Sequence, residues 1–308
     1  MSVELGSQLI ASMRYYRKVF LIVCLLGLKV SSSLAQEKLQ SEYRFQTILF
    51  EVRSEDHTSY LFGTHHAFGE SFFHSLNGVE QKLLDSRLVI LESLNTPEES
   101  TETIINKREK TTDWKRYLSK NDVSFIEEIF QKSQVDWHKI TPAEMYQMLG
   151  RIFKERYCQA KADSDAYYSL DGYIGWLAEQ NQIQQLGLET REQQLLLINQ
   201  DVTGMPRKVH KRRLKSIIDA FESGASSRCD ETDWYRSMNM DYQLENPCGN
   251  ALLLTDRNNQ WMPELIQAIE TKDCFIAVGL SHLMFDCGLI HQLQVRGYEI
   301  SPITFDSN

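Results

Sequence analysis

The chain has 308 residues, of which 42% are hydrophobic and 24% are charged, with 15 glycines and 6 prolines. This composition excludes a disordered chain, a collagen-like repeat and a small scaffold held together mainly by disulfides. The formal net charge is −9, and because nucleic-acid binding depends on clustered Lys and Arg, which we do not expect in the body of the chain, we predict no nucleic-acid partner.

The first 35 residues have the three parts of a secretory signal peptide. Three positive charges at 14–18 precede ten apolar residues at 19–28, and small residues follow up to Ala35. Ten helical residues rise only about 15 Å, half of a hydrocarbon core of about 30 Å, so we expect no stable transmembrane span. We predict cleavage near Ala35 and export, with the bacterial periplasm as the destination. A retained, uncleaved signal is the alternative.

Cleavage would remove Cys24 and leave five cysteines in the domain at 36–308. An odd number means at least one free thiol or an intermolecular bond. Disulfides are allowed in an exported protein. We favour a pair between Cys229 and Cys248, because both lie in polar, turn-rich stretches close together in the sequence. The other pairings stay open.

Along the rest of the chain, the apolar pattern predicts strands towards both ends and helices between them. The strands are expected at 47–53, 59–63, 87–91, 183–188, 274–278 and 298–303, the first two joined by a turn. The helices are expected at 75–86, 122–132, 142–159, 165–180, 190–201, 206–222, 231–244, 249–271 and 286–296, with a polar surface segment at 95–122.

This order of elements predicts an α/β fold with a single mixed β-sheet core. A strand–Gly-x-x-His–helix unit occurs near each end of the chain, at 63–66 and at 279–282. We expect each glycine to let the chain turn sharply as it leaves its strand. A large helical insertion at about 95–180 separates the two units.

Four polar side chains follow predicted strands: His66, Glu92, Glu189 and His282. If these strands run parallel, the four meet at the carboxyl edge of the sheet, where open α/β sheets bind ligands. Two imidazoles and two carboxylates can bind a divalent metal that activates water, or act as general acid and base without a metal. A capping or surface role for each residue is the competing interpretation. We expect His65 to be structural.

The chain resembles the TraB/GumN family, which also contains the Tiki-type proteases. The resemblance lies in five segments in the expected order: LFGTHHAF (61–68), LVILES (88–93), LDGYIGWLAEQNQIQQLGLETREQQL (170–195), TDRNNQWMPELIQAI (255–269) and FIAVGLSHLMFDCGLIHQLQVRGYEI (275–300). It implies a metallopeptidase centre in which His66, His282 and Glu92 hold manganese or cobalt, with zinc as a further option. Other recurrent family positions are matched by Asp171, Glu189, Gln194, Arg257, Asn258 and Trp261.

The first hypothesis is therefore a metal-dependent hydrolase, with a peptide or protein as substrate. Glu92 would be a metal ligand or the general base, while Glu189 and Arg257 would orient the substrate. Arg257 can bind a substrate carboxylate or a nearby glutamate. Whether the chain is an enzyme stays open, as do its substrate, native metal and oligomeric state.

The second hypothesis is a non-catalytic exported protein of the same fold that binds haem or a metal. His65, His66, Met284 and Tyr298 are conceivable axial ligands of a haem iron.

Overall fold

In the computed structural model, the described residues are 43–94, 96, 100–158, 160–162, 165, 169–224 and 228–305. The predicted signal peptide, including Cys24, lies outside them. From Phe45 onward they belong to one unit. No helix in these ranges has both the length and the apolar character needed to cross a membrane.

In the part of the chain that the structure describes, eight strands form two sheets. In chain order they are β1 (Arg44–Gln46), β2 (Leu49–Arg53), β3 (Thr58–Thr64), β4 (Leu88–Leu91), β5 (Gln184–Gly187), β6 (Asn239–Asp241), β7 (Cys274–Gly279) and β8 (Glu299–Pro302). The main sheet has the order β5-β4-β7-β3-β2-β8, and β1 pairs with β6 in a separate two-stranded sheet. Neighbours among β5, β4, β7 and β3 run parallel, whereas β2 is antiparallel to both β3 and β8. The predicted α/β fold with a mixed sheet is confirmed.

The parallel strands are the most apolar segments of the chain. All four residues of β4 are buried, and so are the first five residues of β7. Continuous apolar runs are typical of parallel strands, because helices cover both faces of such a sheet. The register pairs Thr64 with Gly279, so β3 and β7 end at the same level.

Eleven helices occur in the described ranges. They are α1 (Glu70–His74), α2 (Val79–Asp85), α3 (Thr101–Asn106), α4 (Lys120–Phe130), α5 (Pro142–Tyr157), α6 (Leu170–Gln180), α7 (Arg191–Gln200), α8 (Arg207–Ser223), α9 (Asp230–Ser237), α10 (Asp256–Ile269) and α11 (Leu289–Val295). A π-helix at Ala251–Thr255 precedes α10, and a 3₁₀ turn at Leu280–His282 follows β7.

Two segments differ from the sequence prediction. Residues 95–122 were expected to be a polar surface segment. Instead, Ile105, Trp114 and Leu118 are buried in a helical core, which also includes buried residues of α4, α5, α7 and α8. Apolar side chains scattered among charges are enough to anchor the segment. The helix expected at 231–244 ends at Ser237, because Met238 adopts the left-handed conformation that stops a helix.

The cysteines form two disulfides, Cys158–Cys229 and Cys248–Cys287, with Cα–Cα distances of 5.2 and 6.0 Å. Among the described residues, Cys274 is the free cysteine, and it is buried. The expectation of a free thiol is confirmed, but the predicted Cys229–Cys248 pair is wrong. Sequence proximity is misleading here, because tertiary contacts bring the loop around Cys248 to the loop that follows His282.

Those contacts are backbone hydrogen bonds. The amide of Phe285 donates to the carbonyl of Tyr242 at 2.9 Å, and the amide of Asp286 donates to the carbonyl of Asn246 at 3.0 Å. The amide of Cys248 donates to a carboxylate oxygen of Asp286 at 3.2 Å. The loop that carries Cys248 is therefore attached to the residues that follow the second Gly-x-x-His motif.

Candidate functional site

The four side chains that follow the parallel strands all lie at the carboxyl edge of the sheet. Glu92 follows β4 directly, Glu189 follows β5, His66 follows β3, and His282 ends the 3₁₀ turn after β7. The amide of Glu189 donates to the carbonyl of Glu92 at 2.9 Å, which extends the pairing of their strands. The topology thus produces the arrangement that the strand pattern predicts.

Arg257, from the first turn of α10, connects three of these residues. Its Nε and Nη2 donate to the carboxylate of Glu189 at 3.0 and 2.5 Å, and Nη2 also donates to Glu92 Oε2 at 2.7 Å. Its Nη1 donates to the carbonyl of Leu253 at 3.3 Å and to His282 Nε2 at 2.9 Å. All five N–H bonds of the guanidinium are therefore engaged by the protein. Of the two partners expected for Arg257, the structure shows the nearby glutamates.

Glu92 is a buried carboxylate that accepts three hydrogen bonds. Oε2 accepts from Arg257 and from Gln194 Nε2 at 3.1 Å, and Oε1 accepts from the amide of Gly279 at 2.7 Å. Burial raises the pKa of Glu92, but the charges of His282, Arg257 and His66 outweigh this effect and lower the pKa to about 2. Glu92 is ionised at neutral pH.

His282 is a buried histidine whose tautomer follows from its two partners. Arg257 can only donate, so His282 Nε2 must accept and carries no proton. Its Nδ1–H then donates to Asn258 Oδ1 at 2.6 Å. Burial lowers the pKa of His282 to about 4, with Arg257 and His66 acting in the same direction and Glu92 against them. The imidazole is neutral at pH 7.

His66 is oriented by a carboxylate from another element. Its Nδ1 lies 2.6 Å from Asp171 Oδ2, in the first turn of α6, and Thr64 Oγ1 donates to Asp171 Oδ1 at 2.5 Å. The charge of Asp171 raises the pKa of His66. Burial raises the pKa of Asp171, but its bonds to His66 and Thr64 and the charge of His66 lower it to about 2. The His66 side chain is 57% exposed, and its Nε2 makes no hydrogen bond with a described residue.

In the described residues, the two histidines and Glu92 do not form a preformed metal site. His282 Nε2 lies 3.8 Å from Glu92 Oε1. Within the described ranges, however, the ligand atoms of His66, Glu92 and His282 do not all lie within 4.8 Å of one another. The triad that meets this distance is Cys248, Asp286 and Cys287, whose two sulfurs are already joined in a disulfide.

The two motif glycines are required for space. A Cβ atom on Gly63 would lie 2.7 Å from Leu280 Cδ1, and one on Gly279 would lie 3.0 Å from Glu92 Oε1. Neither glycine has a positive φ. Their role is thus to allow close approach of the site residues, rather than the backbone freedom expected from the sequence.

Spacing along the chain did not assign a role to three site residues. Asp171 orients His66, Asn258 orients His282, and Gln194 donates to Glu92. The signal available in the sequence was their place in the segments that resemble the family. Trp261 is buried with its ring 4.7 Å from the Arg257 guanidinium and 4.5 Å from the His282 ring. Its Nε1 is the one buried side-chain donor among the described residues without a partner.

Two of the conceivable haem ligands have their polar atoms engaged. His65 Nε2 lies 3.0 Å from Glu231 Oε1, and its Nδ1 accepts from the amide of Ala67 at 3.2 Å. The hydroxyl of Tyr298 donates to Glu270 at 2.8 Å.

Comparison with known proteins gives one match. The model of the TraB/PrgY/gumN family matches residues 48–302. Searches of the curated proteins and of the solved structures find no match for the chain.

Proposed function

Because the chain belongs to the TraB/PrgY/gumN family, we propose that it is a hydrolase dependent on a divalent metal ion that His66, Glu92 and His282 hold. The substrate class we propose is peptides, on the resemblance to the Tiki-type proteases. Manganese and cobalt are the metals that this resemblance favours, and zinc is a further option.

One observation carries the proposal: each histidine has its Nδ1 held by a side-chain oxygen from a neighbouring helix. Asp171 holds His66, and Asn258 holds His282. Metal-ligating histidines almost always bond through one ring nitrogen to an outer oxygen, which fixes the ring and leaves the other nitrogen for the metal. Nε2 of each ring is therefore the atom that would bind the metal.

The charge of the site also suits a divalent cation. The carboxylates of Glu92, Glu189 and Asp171 face the guanidinium of Arg257 and the imidazole of His66, whose pKa is raised to about 9 by the charge of Asp171, which leaves one negative charge at neutral pH. Arg257 Nη1 occupies the lone pair of His282 Nε2, so this hydrogen bond and a metal bond to Nε2 exclude each other. Arg257 would have to release His282 Nε2 for a metal to bind there, and we assign Arg257 a positioning role.

A divalent metal at this edge would polarise a carbonyl and lower the pKa of a water molecule. Glu92 has a pKa of about 2 and is thus a weak proton acceptor at neutral pH, which favours its role as a ligand over that of general base. Among the described residues, the carboxylate of Glu189 accepts hydrogen bonds from Arg257 alone, and it keeps the guanidinium in place. No observation favours the haem hypothesis over this one.

The test is hydrolysis of a quenched fluorescent peptide library by the full chain, before and after treatment with a chelator. We expect chelation to abolish cleavage and manganese or cobalt to restore it. His66→Ala and His282→Ala are each expected to lower the rate about 100-fold or more. His291→Ala is the matched control, since His291 makes no hydrogen bond with a described residue, and it is expected to retain the rate.

Cleavage that survives both chelation and the two histidine substitutions would overturn the metal-dependent mechanism. Metal binding without cleavage of any peptide would overturn the substrate class. A shift of the Soret band of added haemin on mixing with the protein, lost in His66→Ala, would favour the haem hypothesis instead.

A further inference from the structure

Helix α8 carries a dense group of basic residues. Six of the nine residues at 207–215, RKVHKRRLK, are Lys or Arg, in a chain whose formal net charge is −9. The expectation that the body of the chain has no basic block is wrong at this helix. The overall excess of acidic residues conceals a local positive cluster that only position along the helix reveals.

Five of these six residues lie on one side of the helix. At 100° per residue they fall within an arc of about 140°, and the rise from the first to the last is about 12 Å. This basic row consists of Arg207, Lys208, Lys211, Arg212 and Lys215. The buried residues of α8 lie towards the helical core and include Leu214, Ile217, Ile218 and Phe221. The remaining basic residue, Arg213, lies 4.2 Å from the centre of the Tyr146 ring.

Most of the basic row has no partner among the described residues. Lys215 is paired with Asp122 and Asp219. Arg207, Lys208, Lys211 and Arg212 are all exposed, and none makes an ion pair or hydrogen bond with another described side chain. Four positive charges thus face solvent together.

The position of these charges does not help the helix to form. The N-terminus of a helix carries a partial positive charge and is stabilised by acidic residues, yet the first turn of α8 has none. Pro206 at the N-cap makes no side-chain hydrogen bond. Neither the core nor the helix dipole gains from the basic row, so the stability of the fold does not account for it.

We propose that the basic row is a docking surface for a membrane that contains anionic phospholipids. Rows of Lys and Arg are attracted to such membranes. Nucleic-acid bases stack on free aromatic rings, whereas the rings described beside the first half of α8, Tyr117 and Tyr146, contact His210 and Arg213, which lie outside the row. The basic row lies on an exposed helix face.

The test is flotation of the full chain with vesicles of phosphatidylcholine, alone or with 30 mol% phosphatidylglycerol. At low salt we expect about tenfold stronger partition onto the anionic vesicles, and this preference is expected to vanish at high salt because the charges are screened. The variant Arg207→Glu/Lys208→Glu/Lys211→Glu/Arg212→Glu is expected to lose the preference. Its partition onto neutral vesicles, to which residues 14–28 can contribute, is expected to stay the same.

A matched control changes the net charge by the same amount at four other exposed lysines. These substitutions are Lys107→Glu, Lys110→Glu, Lys115→Glu and Lys120→Glu. The control is expected to keep at least half of the preference. The α8 variant is expected to melt at the same or a higher temperature than the unsubstituted chain, because acidic residues suit a helix N-terminus. If it does not fold, replacing the same four residues by Gln gives the test without reversing charge.

The proposal is overturned if the unsubstituted chain shows no preference for anionic vesicles. It is also overturned if the control loses the preference as fully as the α8 variant does. Salt-sensitive binding to an RNA or DNA oligonucleotide in the absence of vesicle binding would assign the basic row to nucleic acid instead. None of these outcomes depends on the hydrolase proposal.

Discussion

The structure contains two arginines that bond to buried glutamates, one in the helical core and one at the sheet edge. In the helical core, Arg108 donates from Nη1 and Nη2 to both oxygens of Glu144, at 2.8 and 2.9 Å. Glu144 also accepts from the amide of Thr141 at 2.9 Å and from Asn199 Nδ2 at 2.8 Å. One positive charge meets one negative charge, and four donors satisfy the carboxylate.

At the sheet edge, Arg257 meets two glutamates and the lone pair of a histidine. Within the described ranges, the carboxylate of Glu189 accepts hydrogen bonds from Arg257 alone, and Arg257 also donates to Glu92. The negative charge there exceeds the positive charge, and the bond from Arg257 to His282 Nε2 occupies an atom suited to a metal. Both clusters are buried and ion-paired, so these two properties do not distinguish them. The candidate site differs from the helical core in its excess of negative charge.

The disulfides extend this comparison, because one belongs to each region. Cys158–Cys229 lies in the helical core. The carbonyl of Cys287 accepts from Asn258 Nδ2 at 2.8 Å, and Asn258 in turn holds His282. The Cys248–Cys287 disulfide therefore bears on the orientation of a proposed metal ligand.

Removal of either disulfide is expected to give the largest loss of stability. Replacing both cysteines of a pair by Ser should lower the free energy of unfolding by roughly 4 kcal/mol in each case, since the closed loops span 71 and 39 residues. Urea unfolding measures this loss. Manganese affinity is expected to fall only in the Cys248→Ser/Cys287→Ser variant. An equal fall in the Cys158→Ser/Cys229→Ser variant, measured where both are folded, would remove the distinction between the two regions.

The second largest loss of stability is expected from removal of Glu144, the carboxylate in the helical core. Glu144→Ala should cost about 3 kcal/mol, because it leaves the Arg108 charge without its partner in the core and also removes a capping interaction with Thr141. Glu128→Ala, at an exposed position in α4, is the control and should change the stability by about 0.5 kcal/mol at most. Equal unfolding midpoints for the two variants would contradict the structural role of Glu144.

Removing the charge of Glu189 at the sheet edge is expected to lower the stability less than removing that of Glu144. Glu189→Gln leaves Arg257 paired with Glu92 and lowers the excess negative charge, so we expect a loss of about 1 kcal/mol. Glu144→Gln places an amide group among four donors and is expected to cost more. The order of the two losses in urea is the measurement, and the reverse order would show that the sheet-edge cluster is built for stability.

The pH dependence of stability gives a further test of the role of Glu144 in the helical core. Burial raises the pKa of Glu144, but hydrogen bonds from Arg108, Thr141 and Asn199 outweigh this effect and lower it. The stability that Glu144 contributes is thus present above the ordinary pKa of 4.5 and is lost as the pH falls through the lowered value. Unfolding of Glu144→Gln is expected to depend less on pH below 4.5 than unfolding of the unsubstituted chain. Parallel curves would contradict this assignment.

Much of the sheet and the strand-end residues could be predicted from the sequence, because both depend on local pattern. The short apolar runs of β4 and β7 are typical of strands buried in a sheet. Because the strands are parallel, Glu92 and His282 lie at the same edge. The partners of these residues come from helices distant in the sequence, as Asp171 in α6 and Asn258 in α10 illustrate. Tertiary packing determines these side-chain contacts and the disulfide pairings. The spacing of residues along the chain does not encode that packing.

The central claim is that the two oriented histidines hold a divalent metal, and manganese titration followed by electron paramagnetic resonance tests it most directly. We expect one ion per full chain, with affinity at least about tenfold weaker in His66→Ala and in His282→Ala. His291→Ala is expected to bind as the unsubstituted chain does. Manganese binding of equal affinity in all four proteins, or no binding at all by the unsubstituted chain, would contradict the claim.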